Sequence, residues 1–205
     1  MAATKIEALL FDLGGVLIDI DFARVFARWH AHSALPLAEL SARFAFDEPY
    51  RQHERGQISG NDYFAHLRNR LELRCDIAQV ADGWNAIFID EISETRALIE
   101  VARRSLPCHV FSNTNATHYT VWSERYAWIG QTFERLFVSS EIGLRKPDRP
   151  AFEHVGAVLG VPLDAIMFFD DTLENVSGAA QAGLTAVHVQ SPDDVRAALQ
   201  RIGCV

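Results

Sequence analysis

Basic residues are in short supply: 19 lysines and arginines stand against 27 aspartates and glutamates, for a formal net charge of −8. With no basic stripe to release counterions from phosphates, the chain is not expected to bind nucleic acid. A phosphorylated ligand would have to be held locally, by a metal ion or a placed lysine. Cysteine is scarce too, and Cys75, Cys108 and Cys204 match no metal-ligand spacing. Reduced thiols are expected. Long apolar runs are missing: none approaches the ~20 residues of a membrane span. No charged region followed by an apolar stretch opens the chain. The expectation is a cytoplasmic protein without a membrane partner. Internal repeats and low-complexity segments are absent as well.

What is present is globular. Apolar residues make up 49% and charged residues 22% of 205 positions, enough for a sizeable core. Five short apolar runs read as strands, each leading into helix-like periodicity: Ala8–Phe11, Cys108–Ser112, Leu136–Ser139, Ile166–Phe169 and Thr185–Val189. Alternation of strand and helix predicts an α/β fold, a parallel sheet with helices on both faces. The gap after the first run is far longer than the others. Within it Phe22, Val25, Phe26 and Trp29 mark one helix, Tyr63, Phe64, Leu67 and Leu71 a second, and Val80, Trp84, Ile87 and Phe88 a third. Pro36, Pro49 and the Arg55-Gly56-Gln57 stretch punctuate the segment. This predicts an all-helical insertion over residues 20–89, with the core made of 1–19 and 90–205.

Four strand ends carry the chemistry. The stretch from Ile6 to Leu17 holds an apolar run that ends in Asp12, followed by Gly14 and Gly15, at the carboxyl end where open α/β sheets bind ligands. A carboxylate there serves as nucleophile, metal ligand or both. The second strand ends in Ser112-Asn113-Thr114-Asn115, hydroxyl and amide groups suited to phosphate oxygens or, equally, to turn and helix-cap duty. After the third comes Arg145-Lys146-Pro147, in which a rigid neighbour fixes a lysine beside a helix start. The fourth ends in Asp170-Asp171. Adjacent carboxylates are costly unless a cation offsets them, and Mg²⁺ needs only one or two plus substrate phosphate.

The order Asp12, Ser112, Lys146, Asp170-Asp171, each after its own strand, resembles the haloacid dehalogenase-like hydrolase superfamily. FDLGG, the DID of Asp19–Asp21, the HERG of His53–Gly56, FSNTN, RKP and FFDD look most like its bacterial α-D-glucose-1-phosphate phosphatase branch. The resemblance implies a Rossmann-like core with a small helical cap inserted after the first strand. It also implies a Mg²⁺-dependent phosphatase acting on a small phosphorylated metabolite, a sugar phosphate in that branch. Asp12 would attack phosphorus. Asp12, the Gly14 carbonyl and Asp171 would hold the metal, with Asp170 a direct or water-mediated ligand. Ser112 and the Asn113 backbone N–H would bind the phosphoryl group, and Lys146 would balance its charge.

One position departs from the pattern. Most phosphatases of this superfamily carry a second aspartate, a general acid and base, where Gly14 stands here. A positioned acid is worth about 10²–10⁴ in rate. Either the leaving group needs little protonation, as with an anomeric hydroxyl, or another group substitutes: Asp19, Asp21, His53 or His118. Two other readings stay open. A metal-independent 2-haloacid dehalogenase needs no such acid, though Asp170-Asp171 would repel its anionic substrate. A non-catalytic binding module would have no need to keep Asp12, Ser112 and Lys146 together.

Overall fold

The computed structural model describes residues 5–205. Residues 1–4 of the expected core lie outside the described residues. In chain order the strands are β1 (Ala8–Phe11), β2 (Ile18–Ile20), β3 (Phe88–Glu91), β4 (Cys108–Ser112), β5 (Arg135–Val138), β6 (Ile166–Asp170) and β7 (Thr185–His188). The first six helices are α1 (Phe22–His30), α2 (Leu37–Arg43), α3 (Glu48–Glu54), α4 (Gly60–Arg70), α5 (Ile77–Asn85) and α6 (Ser93–Ala102). The remaining six are α7 (Ala116–Arg125), α8 (Trp128–Thr132), α9 (Ser139–Ile142), α10 (Arg149–Leu159), α11 (Leu173–Ala182) and α12 (Pro192–Arg201). None is long and apolar enough to cross a membrane.

Five strands form one parallel sheet in the order β5-β4-β1-β6-β7. Alternation along β1 serves both faces. Leu9 and Phe11 join the side covered by α6 and α12, whereas Ala8 and Leu10 join the side covered by α10 and α11. The chain steps from β1 to β4 and β5 on one side, then returns to β6 and β7 on the other. The switch point therefore lies at the carboxyl ends of β1, β4 and β6, where such sheets open a ligand crevice.

Register delivers the carboxylates to that crevice. Phe11 pairs with Phe169, their rings stacked at 4.6 Å, and the Asp12 N–H donates to the Phe169 carbonyl at 2.8 Å. Asp12 and Asp170 each follow directly, so both turn away from that stacked pair. Three strands differ from expectation by one residue at their limits: β5 starts and ends one earlier, β6 runs on to Asp170, and β7 stops at His188.

Helices α1–α5 fill the long gap and pack around Trp84, which stacks on Trp29 at 5.9 Å and meets Phe22, Tyr50 and Tyr63 edge-on. A methyl at Gly83 would run into the Trp29 indole, so glycine permits that close approach. Asp21, Asp47, Ser59 and Asp76 cap four of these helices. One element was not anticipated. Antiparallel strands β2 and β3 form a two-stranded ribbon at the ends of the helical segment, pairing Ile20 with Phe88. Helix α5 stops at Asn85, so Ile87 and Phe88 belong to the ribbon's entry and not to a helix stripe.

Candidate active site

Lys146 is wholly buried, and its Nζ lies 2.6 Å from Asp12 Oδ1 and 2.6 Å from Asp170 Oδ2. The ammonium also sits 5.4 Å from the Phe111 ring and 5.3 Å from the Phe168 ring, whose faces favour a cation. Burial by itself would lower the Lys146 pKa; Asp12 and Asp170 outweigh it and raise the value, so the lysine is charged. The loop before α10 is fixed by the Asn113 side chain. Its Nδ2 donates to the Lys146 carbonyl and its Oδ1 accepts from the Lys146 N–H, both at 2.9 Å. Asn113 thus spends its side chain on holding Lys146, a job its place in a loop did not reveal.

Asp170 is fully buried and well supplied with donors. Oδ1 accepts from the Thr172 N–H at 2.8 Å, and the Asn175 amide reaches both oxygens at 3.1 and 3.2 Å. Asp171 is more open and takes the Thr172 hydroxyl at 3.2 Å. Carboxylate oxygens of Asp12, Asp170 and Asp171 lie within 4.8 Å of one another, a group able to hold a metal ion. Burial first of all, then Asp170 and Asp171, pushes the Asp12 pKa up to about 7, although Lys146 pulls the other way. One lysine does not neutralise three carboxylates. Gly15, at φ +71°, passes so close to Asp171 that a methyl there would strike its carboxylate.

A cavity of about 90 Å³ is lined by Leu13 and Gly14, which follow Asp12, and by Ser112, Asn113, Thr114 and Asn115 at the end of β4. That loop is knitted in place. Thr114 exchanges two bonds with the Ser139 hydroxyl, at 2.8 and 2.9 Å, and Asn115 caps α7. Further lining comes from Ile18, Ile20, Phe22, Phe88, Trp122, Glu54 and His118.

A family model described as haloacid dehalogenase-like hydrolase matches residues 6–183. The chain belongs to this family. The hydrolase is 26% identical over 205 residues to drimenol cyclase of Aspergillus calidoustus, covering 96% of the chain but 36% of the cyclase. It therefore spans about a third of that relative's length. A sesquiterpene phosphatase of Aspergillus oryzae is 27% identical over 190 residues, 91% of each protein. Among solved structures, a HAD family enzyme of Bacteroides thetaiotaomicron, crystallised with magnesium and inorganic phosphate, superimposes with a TM-score of 0.79 at 25% identity. The match covers 90% of this chain and 94% of that one.

In this hydrolase none of the four substitutes for an acid at position 14 is ready to donate. Asp19 alternates with Ile18 and Ile20, which line the cavity, so it faces away. Asp21 caps α1 by accepting from the Ala23 N–H at 2.7 Å. His53 stacks on Tyr63 at 4.4 Å, and burial pushes its pKa down to about 4. His118 lines the cavity but stacks on Trp84 at 4.7 Å. Burial, with His53 adding, pushes it down to about 3, so it is neutral near pH 7. Nor is position 14 vacant space. A methyl on Gly14 would meet Ile20 Cδ1, the tip of a flexible side chain, at 2.8 Å, so Ile20 must shift before an acid fits there.

Glu54 of the HERG stretch lines the cavity and is buried. Its Oε2 takes the Arg145 Nε–H at 2.8 Å, and it also accepts the Tyr50 hydroxyl. Burial raises its pKa while Arg145 lowers it. The neighbouring Arg55 reaches Asp148 at 3.3 Å, and Gly56, at φ +66°, presses against the Ser140 carbonyl. The HERG motif thus fastens the helical segment to the loops around Lys146. Only the charge complementarity of HERG and RKPD could have signalled this.

Proposed function

We propose that this hydrolase is a Mg²⁺-dependent phosphomonoester hydrolase acting on a small phosphorylated metabolite through an aspartyl-phosphate on Asp12. The observation that carries the reading is the buried contact of Lys146 with Asp12 and Asp170, with Asp171 completing a carboxylate group at the ends of β1 and β6. Three hard-oxygen donors with one compensating lysine suit a small divalent cation. Asp12, Asp171 and the Gly14 carbonyl would hold it, with Asp170 direct or through water. Bound there, Mg²⁺ supplies positive charge to the phosphoryl oxygens.

Asp12 attacks phosphorus and the bond to the alcohol oxygen breaks. Lys146 draws Asp12 toward its ionised form, holds it in line, and offsets charge that builds on the phosphoryl group. Ser112 and the Asn113 N–H orient that group, their loop held by Ser139 and by the Asn113–Lys146 bonds. Water then cleaves the aspartyl-phosphate. Residues 20–89 act as the cap over a core of 1–19 and 90–205, screening the cavity from bulk water. The phosphatase name of the Aspergillus oryzae relative and the magnesium–phosphate complex of the Bacteroides enzyme support the reaction class.

The finer expectation, a sugar phosphate such as glucose 1-phosphate, draws on bare Gly14, since an anomeric hydroxyl departs with less help. A metal-independent dehalogenase is disfavoured by three clustered carboxylates facing an anionic substrate. The test is a phosphomonoester screen with Mg²⁺ comparing wild type with Asp12→Asn. Hydrolysis by wild type alone is expected. Equal activity of the two proteins, or turnover that survives a strong chelator, overturns the reading.

A further inference from the structure

Building on the phosphomonoester reading, we infer that the alcohol released at this site is apolar and weakly acidic: the substrate is an aryl-type phosphate, not a polyol phosphate or an ordinary alkyl phosphate. Two independent features lead there.

The first is the wall of the cavity. The segment from Ser112 to Asn115, which would bind the phosphoryl group, contributes polar lining. The remainder is largely Leu13, Ile18, Ile20, Phe22, Ile87 and Phe88. Of the polar side chains on this part, Glu54, Tyr50 and His118 are engaged, and the buried Trp122 indole N–H has no partner. Glu54 is bonded to Arg145 and Tyr50, and His118 Nδ1 lies 2.9 Å from Asn85 Oδ1. A hexose would bring several hydroxyls to this wall, and each one buried without a partner weakens binding roughly five- to 150-fold. An aromatic ring meets no such cost. The aromatic surface also continues outward. Phe46, 56% exposed, packs edge-on against the lining residues Phe22 at 5.7 Å and Tyr50 at 4.9 Å.

The second is the absence of a usable proton. Ile20 Cδ1 occupies the space beside Gly14, Asp19 faces away, and Asp21 is a helix cap. Glu54, whose pKa burial raises, has its carboxyl bonded to Arg145 and Tyr50. When Asp12 bonds to phosphorus, the leaving oxygen therefore takes the bonding pair as an anion and collects its proton from water afterwards. A phenol-type oxygen, with a pKa of about 10, tolerates this. An ordinary alcohol, with a value near that of water at about 16, does not.

Three probes separate the two features: phenyl phosphate, cyclohexyl phosphate and glucose 1-phosphate, compared by kcat/KM with Mg²⁺. Phenyl and cyclohexyl esters share shape and apolarity but differ in leaving-group acidity; glucose 1-phosphate combines an acidic hydroxyl with a polar body. Phenyl phosphate is expected to exceed cyclohexyl phosphate at least about 100-fold, the lower value of a positioned acid, and to exceed glucose 1-phosphate at least about fivefold, the lower cost of one unpartnered hydroxyl. In Gly14→Asp/Ile20→Ala, which opens room for an acid, the phenyl-to-cyclohexyl ratio should fall about tenfold or more; an unchanged ratio in the folded variant counts against the inference. Asp12-dependent hydrolysis of phenyl phosphate with a ratio near one, or with glucose 1-phosphate equal or better, overturns the inference and leaves the hydrolase reading intact. Failure to hydrolyse any of the three probes, or the same rates in Asp12→Asn, removes the underlying reading and the inference with it.

Discussion

Replacing Lys146 by methionine keeps the apolar stem beside Phe111 and Phe168 and removes the one charge between Asp12 and Asp170. Both contacts are 2.6 Å long, and the side chains of Lys146 and Asp170 are 0% exposed. Breaking a buried pair by deleting one partner costs about 3–5 kcal/mol, because the other charge stays buried. With an unfolding entropy of about 2.1 cal/mol/K per residue, 205 residues translate that into a Tm lower by roughly 7–12 °C. The penalty has a sign in pH. A carboxyl whose folded pKa is raised loses its stabilising contribution as pH climbs from the unfolded to the folded value, a window ending at about 7 for Asp12 in the wild type. Without Lys146 the window extends upward. Above pH 7 the variant should keep losing about 1.4 kcal/mol per pH unit while the wild type does not. Urea unfolding in a chelator at pH 6, 7 and 8 measures both. A cost below about 1 kcal/mol, or one that does not grow above pH 7, refutes the reasoning.

Acid should destabilise the protein through His118, whose folded value of about 3 lies below the unfolded one of about 6.5. Its contribution is complete above pH 6.5 and is lost as pH falls toward 3, so at pH 5 about 2 kcal/mol is gone. The stability difference between wild type and His118→Phe should narrow or reverse by that amount between pH 7 and pH 5, and a constant difference contradicts this. Glu54→Ala strands Arg145, which is 17% exposed, and should cost toward the lower end of about 3–5 kcal/mol in urea unfolding, with Glu54→Gln costing less. Asn113→Ala should cut kcat/KM about tenfold or more by loosening the Lys146 loop while the fold stays intact by circular dichroism; unchanged turnover would deny the positioning role.

The sheet was legible because its strands are strand-length apolar runs bounded by glycine or polar residues, and a β1 buried on both faces has little else it can be. Asp12, Lys146, Asp170 and Asp171 were legible as residues because each ends a strand or opens a helix. Their contact was not, since it depends on the Phe11–Phe169 register. The ribbon escaped notice because Ile18–Ile20 is three residues long and Ile87-Phe88 continues the apolar spacing of α5. Glu54 and Ile20 escaped for a related reason: helical and strand periodicity say which side is buried, not which buried side faces a cavity. Asp21, offered by the sequence as a substitute acid, instead caps α1, the duty an aspartate before a helix start favours.

The central claim is that Asp12 carries the phosphoryl group. Borohydride reduction during turnover of phenyl phosphate with Mg²⁺, followed by peptide mass spectrometry, reads this directly, because an acyl phosphate is reduced to the alcohol. Homoserine at position 12, formed only when substrate is present, is the predicted result. Steady turnover with Asp12 unmodified, or with the label on Asp170 or Asp171, would contradict the account.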